Sequence, residues 1–462
     1  MVAQTYDHRL RKLREAIVNH LPYTSGTVSV QENELLVYYG KKGHALGRVD
    51  FNDVSEDALA HLAQACDPAS FGRNGEDVHD ESYRKAGKLD RGAFAVDLDL
   101  EKSGLMDVIR HNLLDAKNSQ NAIRAELYKL NVYGEGSFFK AHKDTPRKES
   151  MFGSLVVFYP TAHEGGNLLF RDGTSEWTFD SARATAEHDG PCVAYAAFFS
   201  DVDHEVSLVQ SGYRVTVTYN LYFVDPTSST PSPPSNLGFK SELQQLLEDP
   251  TFMPEGGHLG FGLRRVYPVM QKPKLKVSLD YLKPFLKGSD ADILRACDVL
   301  RLKTGMWMVY SDSCTVAVSS AVSMEGFYME ERITSYLLEH GDAKRINHLR
   351  ISRKREQDES HDEDQSSYDE DEDSDSDDEK ERQISDNEVH DVRYERVYYQ
   401  EGHPRYEAPA FEIQWVTGPS SVNVFRNALV TYGNEADIDY AYGHMSLFVE
   451  IGRPGERATV TA

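Results

Sequence analysis

Seven short segments follow one another between residues 125 and 223, and each is bounded by turn residues. Their residues alternate between apolar and polar, or are apolar throughout, which is typical of half-buried and fully buried β-strands. The segments are AELYKLNVYG, GSLVVFYP, GGNLLFRDG, SEWTFD, CVAYAAFF, HEVSLV and YRVTVTYNLYF. Short strands at this fairly even spacing predict a double-sheet jelly roll, whose mouth commonly holds a small site.

Helical patterns precede these strands. DALAHLAQACDPA (57–69) and SGLMDVIRHNLLDAKNS (103–119) space their apolar residues at three and four positions, which predicts amphipathic helices. The fold class predicted for the chain is therefore α+β, mainly β, with N-terminal helices that support the jelly roll.

The chain is long enough for a second domain. It has 462 residues, of which 40% are hydrophobic, and single cores rarely grow to that size. The stretch VDPTSSTPSPPSN (224–236) is typical of a linker because of its proline and serine content. We therefore predict a first domain at 1–223, with its core at about 125–223, and a second α+β domain at 237–462, with a helix that starts near Ser289.

Most of the acidity of the chain lies in one tract. The net charge is −25, and residues 356–388 contain 18 acidic against two basic residues, a local charge of −16 that leaves −9 elsewhere. A tract with so few apolar residues cannot offset the entropy of ordering. We predict a disordered acidic insertion in the second domain, which is either a solvating linker or a docking segment for a basic partner.

Several classes of protein are disfavoured by composition. The sequence contains no run of about 18 apolar residues and its N-terminus lacks an apolar signal segment, so we expect no membrane association and an intracellular location, cytoplasmic or nuclear. It has no basic stripe, so we expect no nucleic-acid partner. The four cysteines lack paired spacing, which indicates reduced core thiols rather than disulfides or a zinc knuckle.

The segment FFKAHKDTP (138–146) contains candidate metal ligands. In an extended strand, residues two apart point to the same side, so His142 and Asp144 would present an imidazole and a carboxylate together. A second histidine, His204, follows a polar turn, and Arg214 lies ten residues later. On that strand Arg214 shares one face with Thr216 and Thr218.

These residue types together favour a particular chemistry. Two histidines and one carboxylate leave positions of an octahedral ion open, an arrangement typical of non-haem Fe(II) sites that bind oxygen and a cosubstrate. The guanidinium of Arg214 would bind a carboxylate in bidentate fashion. A cosubstrate with one end on the metal and a carboxylate at the other, such as 2-oxoglutarate, fits both features.

The stretches YGEGSFFKAHKD, GGNLLF and HEVSLVQSGYRVTVTY resemble the signature of the Fe(II)/2-oxoglutarate-dependent dioxygenase superfamily, nearest to its prolyl 4-hydroxylase-like branch. The resemblance covers about residues 125–223 and implies a double-stranded β-helix. It implies that His142, Asp144 and His204 hold the iron and that Arg214 binds the distal carboxylate of 2-oxoglutarate. The same resemblance implies two further cofactor-binding residues, Thr218 as a hydroxyl partner of that carboxylate and Tyr133 as a wall of the pocket. Phe158 would take the place of a pocket tyrosine found in several relatives, and Tyr159 would face away.

The resemblance implies an enzyme that hydroxylates a C–H bond with Fe(II), 2-oxoglutarate and O2, releases succinate and CO2, and is stimulated by ascorbate. No catalytic residues beyond the metal ligands are expected. A protein side chain, prolyl or other, is the preferred substrate, and a small molecule is the alternative. A second alternative is a regulatory protein that binds iron and 2-oxoglutarate with weak or no catalysis.

The second domain admits two interpretations. Some relatives pair the catalytic domain with an inactive domain used for recognition, so this half could have a degenerate form of the same fold. It could equally be a structural companion.

Overall fold

The computed structural model describes most of the first 322 residues and less of the remainder. The described residues are 2–114 (except 42, 44, 45, 74 and 75), 123–224 (except 149), 237–269, 277–311, 316–322, 334, 337–338, 343–346, 350–351, 394–395, 412–420, 424–430 and 438–457. The chain divides into two compact units, of which one comprises Met1–Asn347 with Glu407–Ala462 and the other His348–Tyr406. In the second unit, the described residues form one antiparallel pair, Arg350–Ile351 with Tyr394–Glu395.

The described part of the chain is mostly β with a few helices. The α-helices are α1 (Val2–Glu15), α2 (Glu56–Ala65), α3 (Leu105–Asn112), α4 (Ser181–Ala186), α5 (Leu237–Glu248) and α6 (Ser289–Val299), and short 3-10 helices span Glu32–Leu35 and Leu279–Phe285. The strands up to residue 223 are β1 (Tyr23–Ser29), β2 (Leu36–Tyr39), β3 (Gly47–Asp50), β4 (Asp67–Pro68), β5 (Phe71–Arg73), β6 (Glu76–Val78), β7 (Arg84–Lys85), β8 (Gly87–Asp90), β9 (Phe94–Val96), β10 (Ile123–Tyr133), β11 (Phe138–His142), β12 (Met151–Phe158), β13 (His163–Gly165), β14 (Leu168–Asp172), β15 (Ser175–Phe179), β16 (Cys192–Phe199), β17 (Asp203–Val206), β18 (Val209–Gly212) and β19 (Arg214–Phe223). The later strands are β20 (Gly257–Gly262), β21 (Val277–Ser278), β22 (Lys303–Ser311), β23 (Val316–Ser319), β24 (Ala321–Val322), β25 (Lys344–Ile346), β26 (Arg350–Ile351), β27 (Tyr394–Glu395), β28 (Ile413–Thr417), β29 (Val424–Val430) and β30 (Ile438–Ile451).

Two sheets enclose the first core. A seven-stranded sheet has the order β1-β16-β12-β19-β10-β8-β4, and a five-stranded sheet has the order β15-β14-β17-β11-β7. Side chains from both sheets share one core, in which the ring of Phe170 on β14 lies 5.2 Å from that of Phe198 on β16. Strand β16 is buried along its whole length, as expected for a continuous apolar run that pairs with a strand on each side, β1 and β12. This arrangement is consistent with the predicted jelly roll.

The predicted N-terminal helices are present, and their ends follow local signals. In α2, the side chain of Ser55 accepts a hydrogen bond from the backbone N–H of Ala58, which satisfies one of the free donors of the first turn. Helix α3 is shorter than its predicted span of 103–119, because it ends at Asn112. The apolar faces of both helices pack on the first core.

A second core is built on another seven-stranded sheet, with the order β25-β23-β22-β30-β20-β28 and β29 paired with β30. Helices α1, α5 and α6 contribute to this core through side chains such as Leu13, Leu243 and Ala296. Helix α1, which opens the chain, thus packs in the second core rather than the first. The described elements of this half contain both helices and strands; a degenerate version of the first fold and the proposed domain boundaries stay predictions.

Some predictions concern residues with no described placement. Residues 225–236 of the predicted linker and the whole acidic tract 356–388 lie outside the described residues.

The predicted helix near Ser289 begins at that residue, but the capping position is taken by Gly288, and Ser289 is buried as the first helical residue. Three cysteines, Cys66, Cys192 and Cys297, are free thiols, and Cys314 is not described. Across the described helices, none combines the length and apolar character needed to cross a membrane.

Candidate metal centre

His142 and His204 are brought together by strand pairing. Strand β11 ends at His142 and runs antiparallel to β17, where His142 is the register partner of His204. The two imidazole centroids are 4.1 Å apart. The two histidines, separated by more than sixty residues in sequence, therefore form one side of a common site.

Asp144 completes the cluster from outside the strand. The sequence pattern predicted that His142 and Asp144 share one strand face, but β11 ends at His142 and Asp144 lies in the segment that leads to β12. A hydrogen bond explains its position, because the hydroxyl of Ser154 on β12 donates to Oδ2 of Asp144 at 2.5 Å. The carboxylate is thus held between the two sheets.

The ligand atoms of His142, Asp144 and His204 all lie within 4.8 Å of one another. Nε2 of His204 is 3.9 Å from Oδ1 of Asp144. Donor atoms on opposite sides of a bound ion are typically separated by about twice the 2.0–2.2 Å metal–ligand distance, and adjacent ones by less. The three atoms are therefore close enough to bind a single ion.

Each of the three ligand side chains makes a hydrogen bond through the polar atom that is not expected to bind the metal. Nδ1 of His142 donates to the carbonyl oxygen of Lys140 at 2.8 Å, and Nδ1 of His204 donates to that of Val202 at 3.1 Å. Oδ2 of Asp144 accepts a hydrogen bond from the hydroxyl of Ser154. Nε2 of both histidines and Oδ1 of the aspartate stay available to bind an ion. Metal ligands in proteins are commonly oriented by such hydrogen bonds at their other polar atom.

The protonation of His142 suits a metal ligand. Burial lowers the pKa of His142 well below its usual value, and the neighbouring His204 lowers it further, although the hydrogen bond to Lys140 opposes both. The imidazole is consequently neutral at neutral pH, with a lone pair free on Nε2. Metal binding requires this form.

Arg214 lies in the same cavity as the histidines. It is the first residue of β19, pairs in register with Tyr133 of β10, and is only 2% exposed. Its guanidinium carbon is 4.9 Å from the centre of the Tyr133 ring and 4.8 Å from that of Phe158. Burial lowers the pKa of Arg214 to about 10, while Tyr133 opposes that shift. The side chain is still a cation at neutral pH, and its Nε has no hydrogen-bond partner.

Thr218 also faces this cavity. Strand β19 places Arg214, Thr216 and Thr218 on one side, as predicted, and all three line a cavity of about 560 Å³ together with Tyr133 and the three ligands. The hydroxyl of Thr218 is 3.4 Å from Nδ2 of Asn131, which donates to it. Its predicted contact with a cosubstrate stays a prediction.

The donors fit the group that the sequence predicts. Two imidazole nitrogens and one carboxylate oxygen are a donor set that suits Fe(II). A buried guanidinium with an unused donor fits the far carboxylate of a dicarboxylate cosubstrate. Both features line one cavity.

The sequence model described as the 2OG-Fe(II) oxygenase superfamily matches residues 128–222. We call this matched stretch, residues 128–222, the oxygenase segment. The oxygenase segment includes β10 through most of β19, and so contains all three ligands and Arg214. The resemblance seen in the sequence motifs is thereby confirmed.

Solved structures that align with part of this chain include three oxygenases. A prolyl-4-hydroxylase from Pseudomonas putida is 16% identical and covers 46% of this chain and 98% of its own, with a TM-score of 0.27. A prolyl hydroxylase from Trichoplax adhaerens, solved with a hypoxia inducible factor peptide, is 14% identical and covers 48% of this chain and 92% of its own, with a TM-score of 0.28. A 2OG-Fe(II) oxygenase family protein from Burkholderia pseudomallei is 15% identical, with coverages of 36% and 78% and a TM-score of 0.22. No curated protein matches the chain.

Phe158 and Tyr159 lie in the oxygenase segment as the sequence predicted. Phe158 contacts Arg214, whereas the ring of Tyr159 stacks on Phe51 with a centroid distance of 4.4 Å. Consecutive residues of a strand face opposite ways. Phe158 therefore lies on the side of β12 that faces Arg214, and its correspondence to a pocket tyrosine of relatives stays a prediction.

Two residues that line the cavity of the candidate metal centre, Ser154 and Arg84, were not identified from the sequence. Ser154 precedes Phe158 by four positions on β12, so strand alternation alone would place it on the same side. Arg84 of β7 lies more than fifty residues before His142, and it lines the cavity only because β7 pairs with β11. No local signal reveals that contact.

Proposed function

We propose that this chain is an Fe(II)- and 2-oxoglutarate-dependent dioxygenase that hydroxylates a C–H bond of a protein side chain, prolyl or other, and releases succinate and CO2. The observation that carries the proposal is the convergence of His142, Asp144 and His204 within 4.8 Å. The oxygenase superfamily match over 128–222 supports the same chemistry.

In this proposal the three ligands hold the iron through Nε2 of His142, Nε2 of His204 and Oδ1 of Asp144. When bound, iron supplies the activation of O2 that oxidises 2-oxoglutarate and the substrate C–H bond. The hydrogen bonds from His142, His204 and Ser154 keep these three atoms directed at one point. The chain's own contribution is to fix their positions before the metal arrives.

Arg214 would bind the distal carboxylate of 2-oxoglutarate. The guanidinium is buried between two rings, where a charge-assisted, bidentate pair is stronger than at the surface. Tyr133 would form the adjacent wall, and Thr218 would donate its hydroxyl to the same carboxylate. This donation requires a rotation of the Thr218 hydroxyl, which already accepts a hydrogen bond from Asn131.

The apolar wall of the cavity would exclude water from the reacting atoms. Phe139 stacks on the His142 ring at 3.6 Å, and Phe198 lies 4.5 Å from the His204 ring. Leu168 and Val206 line the cavity beside them. A dry pocket of this kind limits side reactions with solvent.

We also propose that the two sheets of the first core form the double-stranded β-helix of the superfamily, and that the second half is its accessory domain. A protein substrate is supported by the resemblance of the motifs to the prolyl 4-hydroxylase-like branch. Ascorbate would stimulate turnover by keeping the iron reduced.

The test is succinate formation by the full-length protein with Fe(II), 2-oxoglutarate, ascorbate and O2, because members of such families often decarboxylate slowly without their substrate. The His142→Ala/His204→Ala variant should abolish turnover. A matched control is His188→Ala, since His188 contacts Ser29 and does not line the cavity, and this variant should retain full turnover.

The outcomes separate the possible functions. Turnover that only the double variant loses would support the enzyme. Binding of iron and 2-oxoglutarate without turnover would favour the regulatory alternative, and binding of neither would contradict the proposal.

A further inference from the structure

Two buried arginines line the cavity, and only one has a proposed ligand. Arg214 is assigned to the cosubstrate. Arg84 is 8% exposed and lies on β7, which pairs with β11 beside His142. The proposed function therefore leaves a second buried cation of the same cavity without a role.

Among the described residues, the hydrogen-bond partners of the Arg84 guanidinium are neutral. Its Nη1 donates to the carbonyl oxygen of Ser70 at 2.7 Å and its Nη2 donates to Oδ1 of Asn131 at 2.9 Å. Both acceptors are neutral, and Nε has no partner. Among the described residues, no carboxylate forms an ion pair with this guanidinium. Charges that are buried without a counter-charge are costly and are normally paired.

Arg84 lies close to the candidate metal centre but apart from Arg214. Its guanidinium carbon is 4.3 Å from the centre of the Phe139 ring, and the ring of His142 is 3.6 Å from the same ring. Arg84 and a candidate metal ligand thus contact the same aromatic side chain. Arg214 contacts different rings, those of Tyr133 and Phe158, so the two guanidinium groups define two separate places for an anion.

Three further cations line the outer part of the cavity: Lys129, Lys143 and Arg147. Arg147 donates to the hydroxyl of Tyr128 at 2.5 Å and its guanidinium carbon is 4.5 Å from the Tyr128 ring, while Nζ of Lys129 is 4.7 Å from the same ring. Among the described residues, neither Lys129 nor Arg147 forms an ion pair with a carboxylate, whereas Lys143 interacts electrostatically with Asp203 and Arg171 pairs with Glu205. An anion would relieve the repulsion between the two cations that share Tyr128.

The side chains that line the cavity carry more positive than negative charge, whereas the chain as a whole has a negative net charge. Five basic side chains line the cavity, including Arg84 and Arg214, against two carboxylates, Asp80 and Asp144. Asp144 belongs to the metal centre, and Asp80 already accepts hydrogen bonds from Ser82. The whole chain carries −25. Local positive charge in a negative molecule selects ligands that place their negative charge inside the cavity.

We propose, on the basis of the proposed function, that the substrate is a peptide segment with an acidic residue near the residue that is oxidised. Arg84 pairs with the carboxylate of that acidic residue, and Lys129 and Arg147 attract further acidic residues at the mouth. A peptide is favoured over a nucleic acid because it can present one or two carboxylates to the cavity alone. An oligonucleotide carries a charge at every phosphate, whereas the chain has a net charge of −9 even without residues 356–388.

The experiment selects peptides from a synthetic library of short random sequences, with the full-length protein loaded with Mn(II) and 2-oxoglutarate under anaerobic conditions. Wild type should retain peptides enriched in Asp and Glu. The charge-reversal variant Lys129→Glu/Arg147→Glu should lose that enrichment and retain basic peptides. The matched control Arg48→Glu/Lys102→Glu changes two exposed cations outside the cavity and should select like wild type.

A selected acidic peptide then tests Arg84 directly. We expect Arg84→Gln to weaken its binding by at least about tenfold while the affinity for 2-oxoglutarate is unchanged, since breaking a buried charge pair costs at least that much. If Arg84→Gln does not fold, the Lys129→Glu/Arg147→Glu variant, which changes a half-buried and an exposed side chain, still decides the question.

Several results would overturn the inference. Selection of neutral or basic peptides by wild type would contradict it, as would selection of the same peptides by the charge-reversal variant and by wild type. So would an Arg84→Gln variant that loses affinity for 2-oxoglutarate rather than for the peptide. Binding of single-stranded oligonucleotides through Lys129 and Arg147, in place of acidic peptides, would contradict it as well. Failure of the proposed function is distinguished beforehand, because it would appear as an inability of wild type to bind Mn(II) and 2-oxoglutarate.

Discussion

His142 and His204 are oriented by the same type of hydrogen bond. The Nδ1 atom of each ring donates to the carbonyl oxygen of the residue two positions earlier in the sequence. The strands that carry them are antiparallel neighbours, and the ring centroids are 4.1 Å apart. The orientation of both rings therefore depends on backbone atoms rather than on mobile side chains. This makes the positions of the two Nε2 atoms sensitive to anything that moves the backbone.

Ser154→Ala should weaken metal binding. The variant removes the hydroxyl that donates to Oδ2 of Asp144 at 2.5 Å, and loss of such a partner typically costs about 10- to 100-fold in metal affinity. Calorimetric titration with Mn(II) measures the effect. Thr185→Ala is the control, because its hydroxyl bonds to backbone carbonyls of α4 instead. Equal affinity in wild type and Ser154→Ala would show that Asp144 does not depend on this contact.

Arg214→Lys should weaken 2-oxoglutarate binding and leave metal affinity unchanged. Lysine keeps a positive charge but lacks the planar fork that binds a carboxylate through two hydrogen bonds. We expect the Kd for 2-oxoglutarate to rise by at least about tenfold, as measured by titration of the Mn(II)-loaded protein. A Kd for 2-oxoglutarate that does not change would remove Arg214 from the cosubstrate site.

Asp201 and Lys287 connect the two halves of the first unit. Nζ of Lys287 donates to Oδ1 of Asp201 at 2.9 Å, and both side chains are almost fully buried, at 3% and 4% exposure. Lys287→Met leaves Asp201 buried with one cation fewer. Breaking such a pair lowers the free energy of unfolding by about 3–5 kcal/mol. Denaturant unfolding measures the loss. The double variant Asp201→Asn/Lys287→Met should recover part of it, and a full additive loss would contradict the pairing.

The same pair predicts a pH dependence. Burial alone would raise the pKa of Asp201, but Lys287 and then Arg265 lower it, and the net shift is downward. A carboxyl whose pKa is lower in the folded state contributes stability above its unfolded pKa of about 3.9, and that contribution is lost as the pH falls through the folded pKa. The stability difference between wild type and Asp201→Asn should be constant from about pH 5 to about pH 8 and shrink in more acidic solution. A difference that grows in acid would be inconsistent with this assignment.

Asp201→Asn should also reduce metal affinity. Asp201 precedes Val202, whose carbonyl oxygen accepts the hydrogen bond from His204, and its carboxylate accepts from the backbone N–H of Val266 in the second half. A shift of this turn moves the His204 ring. Mn(II) titration at a pH and temperature where the variant is folded separates this effect from unfolding, and an unchanged metal affinity would show that the turn holds its place without the ion pair.

The sequence predicted the parts of the molecule that depend on local pattern. The strand character of CVAYAAFF and YRVTVTYNLYF, the helices α2 and α3, and the shared face of Arg214 and Thr218 all follow from periodicity. HEVSLV was predicted as one strand, but β17 ends at Val206 and a new strand, β18, begins at Val209. Periodicity does not show such interruptions.

What the sequence could not reveal are contacts between distant segments. Ser154 meets Asp144 across the gap between the sheets, Arg84 reaches the cavity through the pairing of β7 with β11, and Lys287 pairs with Asp201 from the other half of the chain. Each of these depends on tertiary packing, which brings together residues whose own neighbours in sequence carry no sign of the partner. The position of Asp144 beyond the end of β11 has the same origin.

The central claim is that His142, Asp144 and His204 bind Fe(II) together with 2-oxoglutarate. The most direct measurement is an anaerobic titration of the purified protein with Fe(II) and 2-oxoglutarate, followed by the visible charge-transfer absorption between metal and cosubstrate. We predict a band in wild type and in the His188→Ala control that is absent in His142→Ala/His204→Ala. Absence of the band in folded wild type, or its persistence in the double variant, would contradict the claim.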